Sequence, residues 1–119
     1  MKVTNGEVRL MREALQKLGS LRIPVSTSLK VAQLTNKVNG RFQDMELVRL
    51  NLVNQYGVKD DKGNTSVDLA PVEERAKFWK DFVDLLNQEV EIESDPITLP
   101  RALEVEPSVL MPLEKFVKV

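Results

Sequence analysis

The chain contains no cysteine and no histidine. The first absence excludes a disulfide framework, thiolate metal sites and a cysteine nucleophile, and it fits a reducing compartment. The second removes the commonest general base near neutral pH and the commonest transition-metal ligand. No run of residues approaches the ~20 apolar positions of a membrane span. The opening Met1-Lys2-Val3-Thr4-Asn5-Gly6-Glu7 lacks the apolar core of a signal peptide. Neither sign of charge dominates: the formal net charge is −1, so no broad attraction to nucleic acid or to anionic membranes is expected. The expected location is a cytoplasm, or a particle assembled in one.

What is present reads as one globular domain, residues 1–119. Apolar residues make up 42% of the chain and charged residues 29%, a balance that can bury a core without staples. Thr4 and Glu7 have capping-box spacing, with Asn5 as an alternative cap, ahead of Val8, Met11, Leu15 and Leu18 on one helical face. Gly19 then stands where a left-handed C-cap residue belongs. Pro24 separates this helix from the next, for which Ser26, Thr27 or Ser28 can serve as the cap.

The second helix is expected from about Thr27 to Tyr56. Val31, Leu34, Val38, Phe42, Met45, Val48, Leu52 and Tyr56 advance at the α-helical period. Such a helix is ~45 Å long at 1.5 Å per residue, which is long for so small a domain. Leu29, Leu47, Leu50 and Val53 widen its apolar surface. Asn39-Gly40 is a poor mid-helix pair and suggests a bend or a close crossing. Gly57 ends the helix, and Val58 to Thr65 reads as a turn or hairpin tip before a short strand at Ser66–Leu69.

A third helix is expected to open at Pro71, with Glu73 and Glu74 near its positive end. Ala76, Trp79, Val83, Leu86 and Val90 line one side, with Phe78, Phe82 and Leu85 beside them. Trp79 is expected at the centre of the core. Glu89-Val90-Glu91-Ile92-Glu93 alternates as a strand, and Ile97-Thr98-Leu99 is expected to pair back on it after Asp95-Pro96. Pro107 and Ser108 open a last short helical segment, which Pro112 interrupts. The fold class is therefore α+β and mainly α. It comprises a helical hairpin with one long helix packed on a third helix, a small β-hairpin and a short C-terminal helix.

No residue set converges on catalysis, so no catalytic residue, metal ligand or cofactor is assigned and the chain reads as a non-enzyme. Asp60, Asp61 and Asp68 around Gly63-Asn64 miss the EF-hand pattern, since Lys62 and Thr65 occupy positions that need an oxygen ligand and a glycine. They read as a solvated turn. Glu89, Glu91 and Glu93 read as the wet face of an edge strand. Thr27-Ser28-Leu29-Lys30 has hydroxyls near a lysine, but they are better explained as helix caps. Lys30, Lys37, Arg41 and Arg49 are interrupted by Asp44 and Glu46 and lack interleaved aromatics, so they suggest no nucleic-acid face.

The remaining signal is surplus apolar surface. A first helix of about 20 Å cannot cover one of ~45 Å, and the Trp79 helix can cover a further portion but must also bury its own aromatic face. The stripe Val31, Leu34, Val38, Phe42, Met45, Val48 and Leu52 is therefore the expected interface with another chain, either a second copy or a different protein.

The order of features also resembles a family of small, functionally uncharacterised proteins of tailed bacteriophages and prophages. The matching features begin with Thr4-Asn5-Gly6-Glu7 opening a helix, and Leu18 followed by Pro24. A long helix ending in Tyr56-Gly57 comes next, then the turn from Lys59-Asp60 to Gly63-Asn64. Phe78 and Phe82 ahead of Leu85-Leu86, Glu89-Val90-Glu91-Ile92 and a short C-terminal helix complete the likeness. The resemblance spans nearly the whole chain and carries no catalytic residues. It implies a minor virion structural or assembly component, in contact with other phage structural proteins or with itself. The alternative is a host-takeover factor that binds and inhibits a bacterial protein such as a transcription component. The implied location is the virion or the bacterial host cytoplasm.

Overall fold

In the computed structural model, residues 1–100 and 104–118 are described. Their order is β1 (Lys2–Thr4), α1 (Asn5–Gly19), α2 (Val25–Tyr56), β2 (Val58–Lys59), β3 (Thr65–Ser66), α3 (Val72–Asn87), β4 (Glu89–Glu91), β5 (Ile97–Thr98), α4 (Pro107–Leu110), a 3-10 turn (Met111–Leu113) and β6 (Val117–Lys118). The class is α+β and mainly α. Read from sequence as one domain, the residues gather into two compact units. One comprises Met1–Phe42 with Glu89–Val119, and the other Gln43–Gln88.

The first unit is organised by its N-terminal helix. The expected capping box forms: Thr4 Oγ1 accepts from the Glu7 backbone N–H at 3.1 Å, and the Thr4 N–H donates to Glu7 Oε1 at 3.2 Å. Two orphan donors of the first turn are thereby satisfied. At the other end Gly19 is not left-handed. The cap is Ser20 in right-handed helical geometry, and its backbone N–H returns to Lys17 and Leu18 carbonyls. Val8, Met11, Ala14, Leu15 and Leu18 are buried along the expected face. They meet Val31, Leu34 and Val38 of α2, closing a helical hairpin, and the C-terminal Val109, Leu113, Phe116 and Val117 complete the cluster.

The strand pairing differs from expectation. Ile97–Leu99 does not return onto Glu89–Ile92. Instead β4 pairs antiparallel with β1, Val3 opposite Val90, and β5 pairs in parallel with β6, Ile97 opposite Val117. The reason is burial. Val3, Ile92, Ile97, Leu99 and Val117 are all drawn into the same apolar cluster, and each strand takes the partner that lies beside it there. The free carbonyls of these short strands are met by cations. Lys37 Nζ donates to the Glu93 carbonyl, Arg41 Nη2 to that of Glu91 at 3.3 Å, and Lys115 Nζ to that of Lys2 at 3.3 Å. Positive side chains laid on a strand edge discourage pairing with another chain.

Helix α2 begins at Val25, two residues before the expected start. Pro24 precedes it, and its carbonyl accepts from the Ser28 N–H at 2.8 Å. Ser26, Thr27 and Ser28 therefore lie inside the first turn and none of them is the residue before the helix. Gly40 sits in the helix with open space around it, so it marks no close crossing.

In the second unit, β2 and β3 form a hairpin in which Lys59 faces Thr65. Asp60 Oδ1 accepts from the backbone N–H groups of Lys62 at 2.8 Å and Asn64 at 2.9 Å, and Gly63 takes φ +82°. That conformation favours glycine. Gly57 is fixed for a different reason: a Cβ there would meet the Val53 carbonyl oxygen at 2.5 Å and Thr65 Cγ2 at 2.7 Å. The Tyr56 hydroxyl donates to Asp81 Oδ2 at 2.7 Å, tying the end of α2 to α3.

Candidate functional site

The expected interface stripe on α2 is largely used by the chain itself. Val31, Leu34, Val38 and Met45 are buried, and Phe42 packs half-buried on the first unit's core. The guanidinium of Arg12 lies over the Phe42 ring, 4.4 Å from its centroid. Leu52 is half-buried, and Val48 alone of the seven is exposed. The stripe is therefore corrected from a free face at Val31, Leu34, Val38 and Met45, which the chain buries itself. Besides α1, cover comes from Ile92, Ile97 and the C-terminal segment, which bring apolar side chains into the same cluster as Val31, Leu34 and Val38.

Apolar surface is left open elsewhere. On α2 it lies beside the stripe, at Leu29, Leu47 and Leu50. On α3 the expectation reverses. Trp79, placed at the core centre from sequence, is 55% exposed, whereas Phe78 and Leu85 are the buried residues of that helix. The helix carries two apolar lines, and the fold turns the Phe78–Leu85 line inward. Val72, Ala76, Trp79 and Val83 recur at steps of four, three and four, which sets them on one face. Val72 is 70% and Val83 49% exposed. Sequence periodicity detects this line but reads it as core. The available signal was that α3 has more apolar circumference than one core-facing stripe requires.

The Trp79 ring is held firmly despite its exposure. It stands edge-on to Phe78, with centroids 5.4 Å apart at 77°, and to Phe82, at 5.8 Å and 81°. Phe78 and Phe82 stack at 5.8 Å. Edge-to-face packing of this kind adds ~0.5–1.5 kcal/mol per pair beyond area burial. Arg75, one turn before Trp79, has a buried Nε–H with no hydrogen-bond partner among the described residues.

The polar candidates resolve into local structure. Asp60 is occupied by its own turn. Glu89, Glu91 and Glu93 are exposed. Arg49 makes a two-nitrogen contact with Glu46, and its Nη2 lies 2.9 Å from Oε2. That contact holds the guanidinium's pKa above its ordinary value. The Glu7 carboxyl is held below the usual range, first by the Thr4 backbone N–H and then by Lys115, whose Nζ is 3.4 Å from Oε2. Among the described residues no group of three or more carboxylates is placed to hold a metal ion. No helix of the described residues is long and apolar enough to cross a membrane.

An open cleft lies between α1 and α2. It encloses about 320 Å³, with Leu15, Ile23, Val31 and Ala32 among its lining and Gln16, Ser28 and Asn36 as its polar groups. Its polar groups are neutral, and the Thr35 hydroxyl on its wall is already donated to the Val31 carbonyl at 2.7 Å. Comparison with protein-family models, with curated protein sequences and with solved structures finds no match to this chain.

Proposed function

We propose that this chain is a non-enzymatic phage protein that works through protein–protein contact, as a minor component of the virion or of its assembly. The observation that carries the contact reading is the exposure of large apolar side chains on both helices of the second unit. These are Leu47 and Leu50 on α2, and Val72, Trp79 and Val83 on α3. Scattered exposed leucines are ordinary, but an aligned face with a tryptophan at its middle is the composition of protein contact surfaces. The non-enzymatic reading draws on the titratable groups. Among the described residues, those with shifted pKa values, Glu7, Arg49 and Tyr56, are each accounted for by a neighbouring hydrogen bond, and no described acid, base and nucleophile converge around them. The phage assignment rests on the resemblance in layout described above.

The test is the protein's whereabouts during infection. Purified particles analysed by mass spectrometry are expected to contain the chain, and photo-crosslinkers at exposed α2 and α3 positions are expected to join it to other phage proteins. Early synthesis together with absence from particles, and crosslinks to a host protein, would replace this reading with that of a host-directed inhibitor.

A further inference from the structure

The α3 face has a charge pattern as well as an apolar one. On a helical wheel the line Val72, Ala76, Trp79, Val83 is bordered by Arg75 on one side and Lys80 on the other, both within about one turn of Trp79. The acidic residues on the Lys80 side, Glu73 and Asp84, lie towards the two ends. The centre of the face is thus apolar and cationic. Arg75, at one border, is half-buried, and Lys80, at the other, is exposed. A carboxylate is the best complement of a guanidinium or an ammonium group.

We infer that this face is the docking site for an amphipathic segment of another protein whose apolar stripe is flanked by carboxylates. The inference rests on the contact reading above and names the surface and the chemistry of its partner. Trp79, braced edge-on by Phe78 and Phe82, is the rigid aromatic anchor. Arg75 and Lys80 set the register by pairing with acids on either side of it. Tryptophan and arginine at the middle of a patch are the residue types that carry most binding energy at protein interfaces. A second copy of the chain does not fit. Two α3 helices laid antiparallel about Trp79 bring Lys80 towards the lysines of the same flank, Lys77 and Lys80, and Glu73 towards Asp84. Such like-charge juxtaposition opposes association.

Trp79 is the chain's one tryptophan, so its emission reports on the face directly. Two synthetic helical peptides share one leucine stripe, flanked in one by glutamates and in the other by lysines. With the full-length chain, the glutamate peptide is expected to shift Trp79 emission to the blue and to bind saturably, more weakly as salt rises. The double variant R75Q/K80E, with its fold checked by circular dichroism, is expected to bind it about tenfold more weakly or worse. Trp79→Ala, followed by peptide fluorescence, is expected to abolish binding. Equal or tighter binding of the lysine peptide, or no emission change with either, overturns the inference. So does concentration-dependent self-association that Trp79→Ala removes, since the occupant is then a second copy. Photo-crosslinkers at Leu47 and Leu50 separate the two levels. Crosslinks there without peptide binding remove the docking inference and leave the contact reading standing. Their absence at both helices during infection removes the contact reading as well.

Discussion

The Tyr56 hydroxyl and the Asp81 carboxylate are 2.7 Å apart, and this bond joins the last turn of α2 to the middle of α3. It holds the tyrosine pKa above its ordinary value. The main cause is that the phenolate can no longer donate to Asp81; burial and the charges of Asp81 and Glu74 add to the effect. A raised folded-state pKa stabilises the fold below the ordinary tyrosine value of about 10 and loses that contribution as pH rises through the folded value. Tyr56 is the one tyrosine, so ultraviolet absorbance follows it without ambiguity. Asp81→Asn is expected to move its titration to lower pH. An unchanged titration curve would show that the hydrogen bond does not persist in solution.

Trp79 and Phe78 are adjacent in sequence and opposite in expected effect. Phe78 is 6% exposed, so Phe78→Ala should cost roughly 3–5 kcal/mol. Trp79→Ala removes an exposed ring and the edge contacts it makes, and should cost about 1 kcal/mol. Chemical denaturation of the two variants checks this. A Trp79 variant as unstable as the Phe78 variant would return Trp79 to the core.

The α2 stripe yields a second contrast. Leu34 is fully buried, and Leu34→Ala should cost about 2–5 kcal/mol. Leu29, one and a half turns earlier, is exposed, and Leu29→Ser should change stability by no more than about 0.5 kcal/mol. Thermal melts distinguish them, and equal effects would contradict the inward orientation of the stripe.

Two glycines should respond with opposite signs. Gly40→Ala adds a Cβ into open space within a helix and should stabilise by ~0.5–1 kcal/mol. Gly57→Ala drives a Cβ against the Val53 carbonyl and the Thr65 methyl and should destabilise by ~1–3 kcal/mol. Melting temperatures of the pair give the answer, and a neutral Gly57 variant would show that the helix end and the hairpin are not in close contact.

The capping box is testable through acid. Glu7 titrates below its ordinary value, so its contribution is present above the unfolded carboxylate pKa and is lost as pH falls through the folded one. Thr4→Ala should cost about 1 kcal/mol near neutral pH. The main cause of the Glu7 shift is the Thr4 backbone N–H, which alanine keeps, so most of the acid-linked contribution of Glu7 should survive in the variant. A gap that closes completely at low pH would place the Glu7 linkage in the Thr4 hydroxyl instead.

The sequence by itself determined the local elements. Thr4 and Glu7 cap a helix because both partners lie within one turn. The α2 helix is visible because its stripe, Val31 to Tyr56, keeps the 3.6 period for about seven turns, whatever surrounds it. Gly63 and Asp60 specify their turn through backbone preference and a hydrogen bond two residues away. Tertiary structure decided everything that depends on which surfaces meet. Glu89–Glu91 reads as a strand, but its partner is β1, far away in sequence, because alternation fixes a strand's faces and carries no information about its neighbour. The α2 stripe turned inward because segments from both ends of the chain gather over it. Helix α3 offered two apolar lines of similar hydrophobicity. Phe78 and Leu85 went inside and Trp79 stayed in solvent because burial depends on the surfaces a helix meets as well as on the size of its largest side chain.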